Sequence, residues 1–133
     1  MDNPVVEVAA ALIQRDGRYL ITTRREGTHL AGLWEFPGGK RRPGEGFEDC
    51  LKRELREELD LDVEVGEEVR VIEHSYPEFT VQLHFFRCSI LRGEPRPREG
   101  QEVRWVRPEE FARYQFPPAD AQLLHDLKTT AAI

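Results

Sequence analysis

Three carboxylates are crowded into one short segment of the chain, Arg53-Glu-Leu-Arg-Glu-Glu-Leu59. In a helix, Glu54, Glu57 and Glu58 would fall within one arc of about 100°. Like charges at such neighbouring positions repel each other by about 0.2–0.5 kcal/mol per pair. A solvated acidic face with basic neighbours could tolerate this repulsion. A site for Mg²⁺, which prefers carboxylate and phosphate oxygens, could require it. The segment alone does not decide between the two.

The helix that carries these carboxylates is predicted over residues 47–59. Phe47, Leu51, Leu55 and Leu59 recur at i, i+4 spacing, which is typical of the buried face of a helix. The acidic arc lies beside this apolar stripe, so it should border the core and not simply face bulk water. Residues 24–46, rich in glycine and proline, are predicted to be a loop that leads into the helix.

The remaining pattern predicts a sheet around this helix. Asp16-Gly17 is a strong turn signal between two apolar runs, which indicates a β-hairpin. A brief helix is predicted from Pro108, since proline is tolerated in the first turn. The order indicates an α+β chain arranged as an α/β/α sandwich. Strands are predicted at 5–13, 19–23, 63–71, 79–91 and 103–106, a charged loop at 92–101, and a last helix at 118–130.

Composition limits the possible functions. The chain of 133 residues with a net charge of −6 is predicted to form one domain, residues 1–133, that binds neither nucleic acid polymers nor membranes non-specifically. Cys50 and Cys88 lack metal-ligand spacing, which favours two buried thiols in a reducing compartment. No signal peptide or apolar run of roughly 20 residues is recognisable. We therefore expect a cytoplasmic protein.

Together with its upstream loop, the acidic segment resembles the signature of the Nudix hydrolases. That signature is G, five residues, E, seven residues, REU, one residue, EE, one residue, G and U, where U is aliphatic. Asp60 replaces the last glycine, and we expect it to take the left-handed conformation that ends the helix. The resemblance implies the Nudix fold, a mixed β-sheet between helices with a loop–helix–loop catalytic motif. The matching positions are Gly39, Glu45, Arg53, Glu54, Leu55, Glu57, Glu58 and Leu61.

The resemblance also implies a Mg²⁺ site, in which Mn²⁺ could substitute, and an enzymatic role. Its ligands would be the Gly38 carbonyl, Glu54, Glu57, Glu58 and, from the late loop, Glu99. Glu99 could instead be a solvated charge. The implied catalytic residues are Glu45, Arg53, Glu54 and Glu57. Arg53 would orient a carboxylate through an ion pair with Glu45 or Glu54, unless it is only a surface partner. Glu54, Glu57 or Glu99 would take the proton from the attacking water.

Further matches cover nearly the whole chain and resemble the MutT-like branch of the family. They imply hydrolysis of a nucleoside triphosphate, a small molecule, to the monophosphate and pyrophosphate, with 8-oxo-dGTP as the expected substrate. Alternatives are CTP, dCTP or 5-methyl-dCTP, another nucleoside-diphosphate-linked substrate, a non-enzymatic module that binds damaged bases, and a structural Ca²⁺ site. The chain is expected to be a monomer or a homodimer. The matching segments are 33–40, 93–95, 99–101 and 116–120.

Three residues are implied to contact the substrate. Arg24 matches a phosphate-binding arginine, although a surface cation is an alternative. Asp120 would bind the base. If it is ionised, it offers only acceptors, which suit the amine of cytosine or the N–H edge of guanine. It could also be an acid favoured by the helix dipole. Phe36, like Tyr76 and Phe79, could stack on the base or belong to the core.

Overall fold

The computed structural model describes residues 4–131, so the predicted domain of residues 1–133 extends beyond the described part at both ends. Within residues 4–131, seven strands form one sheet, and two α-helices and two 3₁₀-helices accompany it. In chain order these are β1 (Val5–Arg15), β2 (Arg18–Thr23), β3 (Trp34–Glu35), β4 (Gly38–Lys40), α1 (Phe47–Leu59), β5 (Asp62–Ser75), β6 (Thr80–Arg92), β7 (Val103–Val106), the 3₁₀-helices Pro108–Arg113 and Pro118–Asp120, and α2 (Ala121–Ala131).

The sheet is mixed, and β1 lies at its centre. Strand β1 runs parallel to β6, from the pair Val5–Thr80 to the pair Ile13–Cys88. It also pairs in the antiparallel sense with β2 and with the short strand β4. The path β3-β2-β1-β6-β5 forms the body of the sheet, while β7 pairs with β2. The central strand thus fixes β4, which leads into α1.

Strand β1 supplies side chains to both faces of the sheet by strict alternation. Ala9, Ala11 and Ile13 join a core on one face with the apolar stripe of α1. Ala10 and Leu12 join a second core on the other face with α2 and the first 3₁₀-helix. Because successive residues of a strand point to opposite faces, one apolar run can build two cores. The predicted α/β/α sandwich is confirmed.

Helix α1 begins at Phe47 and ends at Leu59, as the sequence predicts. Asp60 ends the helix in the left-handed conformation, with φ 57° and ψ 38°. The next amide, that of Leu61, bonds back to the Leu55 carbonyl at 3.2 Å, as in a Schellman motif. The prediction that Asp60 takes over the conformational role of the signature glycine is therefore confirmed.

Other predicted boundaries need correction. Residues 24–46 are not only a loop, because β3 and β4 lie within them. Strand β5 extends beyond 63–71, and register shifts beside Val65 and Glu68 break its alternation. Val63 is therefore buried while Val69 and Val71 are exposed. The predicted helix 118–130 starts as a 3₁₀-turn and becomes α-helical only at Ala121, and the helix from Pro108 is a 3₁₀-helix.

Both cysteines are buried and unpaired, as predicted. Burial raises the pKa of Cys50 to about 11 and that of Cys88 to about 12. Cys50 lies on the inner face of α1, where its Sγ is 3.6 Å from the Gly39 carbonyl oxygen. Among the described residues, no helix has the length and apolar character needed to span a membrane.

Candidate active site

Strand β4, which contains Gly38 and Gly39, is the segment of the chain that leads into the site. It lies between β1 and α1. A Cβ at Gly38 would lie 2.8 Å from the Cα of Ala10, so the backbone of β1 leaves no room for it. A Cβ at Gly39 would lie 2.6 Å from Oε1 of Glu54. The absence of a side chain at Gly38 therefore lets β4 approach the backbone of β1, and its absence at Gly39 lets the Glu54 carboxylate approach the backbone of β4.

Arg53 connects the loop before α1 with the carboxylates on α1. Its Nε and Nη2 donate to the two oxygens of Glu45 at 2.7 and 2.9 Å, and its Nη1 donates to Glu54 at 2.8 Å. Both ion pairs that the sequence offered as alternatives are present. The bonds from Arg53 lower the pKa of Glu45 to about 2, so Glu45 stays ionised. Arg53 and Glu45 thus hold the Glu54 carboxylate in one place.

Glu58 lies within electrostatic range of three other carboxylates, and we call the four residues the acidic cluster: Glu35, Glu54, Glu58 and Glu99. Burial is the main cause that raises the pKa of Glu58, the charges of the other three members add to it, and together they bring this pKa to about 9. The pKa of Glu54 is raised as well, mainly by burial. Such mutual repulsion in a half-buried setting favours the binding of a cation.

Glu35 is a member of the cluster that sequence reasoning did not single out. Glu35 lies on β3, and its side chain points away from the face on which its neighbours Trp34 and Phe36 pack. These two aromatic residues belong to the second core. Oε1 of Glu35 accepts a 2.6 Å bond from Nη1 of Arg24. Burial raises the pKa of Glu35, whereas Arg24 lowers it. The polar residue between two aromatic ones, in a strand with a period of two, is the signal that could have identified it.

Glu57 differs from its two neighbours on the helix. Its side chain is 52% exposed, and its carboxylate faces Arg53 at 3.4 Å and Arg42 at 3.9 Å. The charges that raise the pKa of Glu58 are those of Glu35, Glu54 and Glu99, whereas Glu57 raises the pKa of Glu54. The three glutamates of the predicted acidic arc therefore differ in their surroundings. Glu54 and Glu58 lie on the side of α1 that faces the site, whereas Glu57 lies at the exposed edge of the arc.

Glu99 reaches the cluster from the loop between β6 and β7. Its amide donates to Oε1 of Gln101 at 2.9 Å, and Nε2 of Gln101 donates to the Glu58 carbonyl at 3.2 Å. Gln101 is buried, so this bridge attaches the loop to the end of α1. The Glu99 carboxylate pairs with Arg25. The structure thus brings the late-loop glutamate to the helix glutamates, as the resemblance implies.

The donor set fits a hard divalent cation. It consists of carboxylate oxygens that repel one another beside a backbone loop that a Cβ would block. In the part of the chain that the structure describes, no three His, Cys, Asp or Glu side chains already converge as a metal centre. Ion pairs with arginines keep the carboxylates of the acidic cluster apart. Arg24 pairs with Glu35, Arg25 with Glu99 and Arg53 with Glu54. These guanidinium groups occupy positions where a cation would also be stable.

Asp120 lies buried beside the acidic cluster, with only 5% of its surface exposed. Among the described residues its carboxylate receives no hydrogen bond. Burial is the main cause that raises the pKa of Asp120; the charge of Glu35 adds to this effect, Arg24 opposes it, and the resulting pKa is about 7. The role expected from the sequence concerns only the ionised form of Asp120, which can accept hydrogen bonds but not donate them. Near neutral pH a large fraction of Asp120 is protonated, and the neutral acid can donate.

Aromatic side chains divide between this pocket and the core. Phe36 is 3% exposed and packs against Tyr19, Phe85, Phe111 and Phe116. Of the two roles that the sequence left open for Phe36, the structure favours the core. Tyr76 instead lies near Asp120 and Arg24, whose charges act on its phenol. The ring of His29 packs edge-on against Tyr76 at 4.6 Å and against Phe79 at 5.0 Å.

Gly39→Ala is expected to lower kcat by about 10²-fold while the fold remains intact. The new methyl group would displace the flexible Glu54 side chain, and a shift of about 1 Å in a reacting group can reduce the rate that much. Thermal unfolding and steady-state kinetics would measure the two effects. Gly38→Ala is the contrasting control, since its methyl group would meet the β1 backbone and should lower Tm. Wild-type kcat in Gly39→Ala would show that the Glu54 position is unimportant.

Comparisons with known proteins relate this site to a large family. A family model described as "NUDIX domain" matches residues 8–126. The CTP pyrophosphohydrolase of Escherichia coli is 40% identical over 120 residues, which are 90% of this chain and 89% of that protein. The 8-oxo-dGTP diphosphatase of Haemophilus influenzae is 40% identical over 128 residues, which are 96% and 94% of the two chains.

Solved structures give the same result for the fold. The solution structure of the E. coli ORF135 protein aligns with a TM-score of 0.82 and 37% identity, and covers 98% of this chain and 93% of that one. The crystal structure of the MutT protein from Methanosarcina mazei Go1 aligns with a TM-score of 0.87 and covers 98% and 97%. At 22% identity, the second likeness concerns the fold alone.

Proposed function

Because the chain belongs to the Nudix family, we propose that it is a Mg²⁺-dependent nucleoside triphosphate pyrophosphohydrolase. It converts a nucleoside triphosphate and water into the monophosphate and pyrophosphate. The proposed substrate is 8-oxo-dGTP, whose removal would keep oxidised guanine out of the nucleotide pool. The net charge of −6 suits a cytoplasmic enzyme that acts on a small-molecule nucleotide and not on a nucleic acid polymer.

The acidic cluster is the observation that carries this proposal. A group of carboxylates that repel one another this strongly, next to the Gly38-Gly39 strand, is difficult to explain as a purely structural feature. Three members of the cluster, Glu54, Glu58 and Glu99, would hold divalent cations together with Glu57 and the Gly38 carbonyl. Such cations would neutralise the charge of the phosphates of a nucleotide.

The chain's own residues would position the reactants. Arg53, held by Glu45, fixes Glu54 beside Gly39, so that this carboxylate can orient the attacking water and take its proton. The bond between the water oxygen and the β-phosphorus forms, and the bond between that phosphorus and the bridging α–β oxygen breaks. The nucleoside monophosphate is the leaving group. Catalysis would rest mainly on positioning and on neutralisation of charge.

A substrate panel tests the proposed function. The protein would be incubated with Mg²⁺ and 8-oxo-dGTP, dGTP, CTP, dCTP or ADP-ribose, and the products separated by ion exchange. We expect monophosphate and pyrophosphate, with label from ¹⁸O-water in the pyrophosphate. A product mixture of diphosphate and orthophosphate, or preferred cleavage of ADP-ribose, would contradict the proposal.

A cytosine nucleotide is the second candidate substrate, and Asp120 is the observation that favours it. An ionised carboxylate accepts from the exocyclic amine of cytosine, whereas the neutral acid also donates to a base carbonyl. With a pKa of about 7, Asp120 offers both forms near neutral pH. The preference between CTP and 8-oxo-dGTP should then depend on pH.

We expect the ratio of kcat/KM for CTP to that for 8-oxo-dGTP to rise as pH increases through about 7. Asp120 ionises over this range, so its acceptor for the amine becomes stronger and its donor to the base carbonyl is lost. Asp120→Asn keeps a donor and an acceptor at every pH. It should shift the ratio by roughly 5- to 150-fold and remove its pH dependence. Steady-state kinetics from pH 6 to 8.5 would measure both effects.

Asp126→Asn is the matched control for this prediction, because Asp126 is a more exposed acid of α2 whose Oδ2 pairs with Arg70 at 2.5 Å. It should leave the ratio unchanged. Stability supplies a second readout. The pKa of folded Asp120 exceeds its ordinary value of 3.8, so the free energy of unfolding falls as pH rises from about 4 to 7, and Asp120→Asn should remove this decrease. A ratio that is the same in Asp120→Asn and wild type at every pH would reject the role in base binding.

A further inference from the structure

Two consecutive arginines after β2 have different surroundings. Arg24 is engaged twice: its Nη1 donates to Glu35 and its Nε donates to the His29 carbonyl, both at 2.6 Å. Arg25 is 50% exposed, and its guanidinium pairs with Glu99 alone among the described carboxylates. Two contacts therefore hold the Arg24 side chain, whereas one ion pair holds the half-exposed side chain of Arg25.

The charge of Arg25 acts on the acidic cluster. Besides its ion pair with Glu99, its charge lowers the pKa of Glu58 and of Glu35, against the rise that burial causes in both. It therefore interacts with three of the four cluster members. The positive charge of Arg25 thus partly neutralises the carboxylates that a bound divalent cation would also neutralise.

The two partners are anchored differently. Glu99 is fixed by its backbone, since its amide bonds to Gln101 and Gln101 bonds to the end of α1. The loop of Arg25 is closed at its base, where the Arg24 amide donates to the Leu33 carbonyl at 2.7 Å. The Arg25 backbone carbonyl accepts from the Thr28 hydroxyl at 2.5 Å. Hydrogen bonds thus hold the backbone at both Glu99 and Arg25. The ion pair between the two side chains can therefore open by a rotation of the half-exposed Arg25 side chain alone.

We propose that Arg25 is a phosphate-binding residue of this chain that rests on Glu99 and transfers to the polyphosphate when a divalent cation engages Glu99. The inference rests on the proposed function of the site. A cation at Glu99 repels the guanidinium, and the phosphates that arrive with the cation attract it. Arginine suits this exchange because its planar fork binds carboxylate and phosphate oxygens with the same geometry.

Arg25→Gln should therefore have two effects of opposite sign. Without nucleotide, Mn²⁺ should bind several-fold more tightly, because its competitor at Glu99 is gone. In the presence of Mn²⁺, the α,β-methylene analogue of CTP should bind roughly 10- to 100-fold more weakly, because a charge-assisted contact is lost. Isothermal titration calorimetry with MnCl₂ and then with the analogue would measure both. Arg25→Lys should recover part of the analogue affinity.

Arg15→Gln is the matched control. Arg15 also pairs with a glutamate of the loop after β6, Glu94, and is 43% exposed, but it lies outside the acidic cluster. It should change neither affinity. Unchanged affinities in Arg25→Gln would overturn the proposal, and so would a loss of Mn²⁺ affinity, which would mean that Arg25 only holds Glu99 in place.

Failure of the proposed function would be visible separately, as an absence of pyrophosphate release by the wild-type protein with every nucleotide. In that case the Mn²⁺ titration would still decide whether Arg25 competes with a cation for Glu99. If pyrophosphate is released and Arg25→Gln binds the analogue like the wild type, the role of Arg25 alone is refuted.

Discussion

Replacing Glu58 by glutamine is expected to lower kcat by about 10²- to 10³-fold and to leave the fold intact. Glu58 has three carboxylates within electrostatic range, and among the described residues its side chain receives no hydrogen bond. Glutamine keeps the shape but cannot ionise to bind a cation, so the loss should fall on cation binding. The apo protein should be as stable as the wild type or more stable near neutral pH, because Glu58, whose pKa is raised by burial, must take up a proton on folding, whereas glutamine is neutral in both states.

The control for this prediction lies on the same helix. Glu48, in the first turn of α1, is 62% exposed and pairs with Lys52, so Glu48→Gln should change kcat less than 2-fold. Kinetics at saturating Mg²⁺ and thermal unfolding without metal would compare the two variants. Wild-type kcat in Glu58→Gln would contradict the assignment of Glu58 to the metal site.

Removal of divalent metal should have the largest effect, a complete loss of turnover in excess EDTA that added Mg²⁺ reverses. Without a cation, the acidic cluster would face the negative charges of a triphosphate, and the repulsion would oppose binding as well as reaction. The donors are all oxygens, so Mn²⁺ should replace Mg²⁺ and Zn²⁺ should not be required. Pyrophosphate release against the concentration of free Mg²⁺ would measure the requirement.

Thermal unfolding separates metal binding from catalysis in this experiment. A ligand that binds only the folded state raises Tm, so Mg²⁺ should raise Tm of the wild type and have little effect on Glu58→Gln. Full turnover in excess EDTA would refute the metal requirement. A rise in Tm of the same size in both proteins would place the cation elsewhere.

Local signals made helix α1 predictable to its first and last residue. The apolar stripe of Phe47, Leu51, Leu55 and Leu59 defines its buried face, and the Asp60 position needs a left-handed conformation that aspartate can adopt. The resemblance to the family signature implied that Arg53 pairs with Glu45 or Glu54, and both pairs are present. These features depend on residues that are close in sequence, which is why sequence reasoning reached them.

Contacts between distant segments could not be predicted in this way. Glu35 joins Glu58 only because β3 lies at the end of the sheet path beside β2, and Arg25 meets Glu99 across 74 positions of sequence. The short strands β3 and β4 form because β2 and β1 offer them partners, although their own sequence reads as a loop. The protonation of Asp120 depends on burial that only the packed structure shows.

The burial of Cys50 has a consequence for survival under oxidative stress. Peroxide attacks the thiolate, and a thiol with a pKa of about 11 is ionised in about one molecule in ten thousand at pH 7. Cys88, with a pKa of about 12, is protected further. An enzyme that removes oxidised nucleotides would thus keep its own sulfur atoms reduced in the conditions that create its substrate. Iodoacetamide should accordingly alkylate neither cysteine until the protein is unfolded.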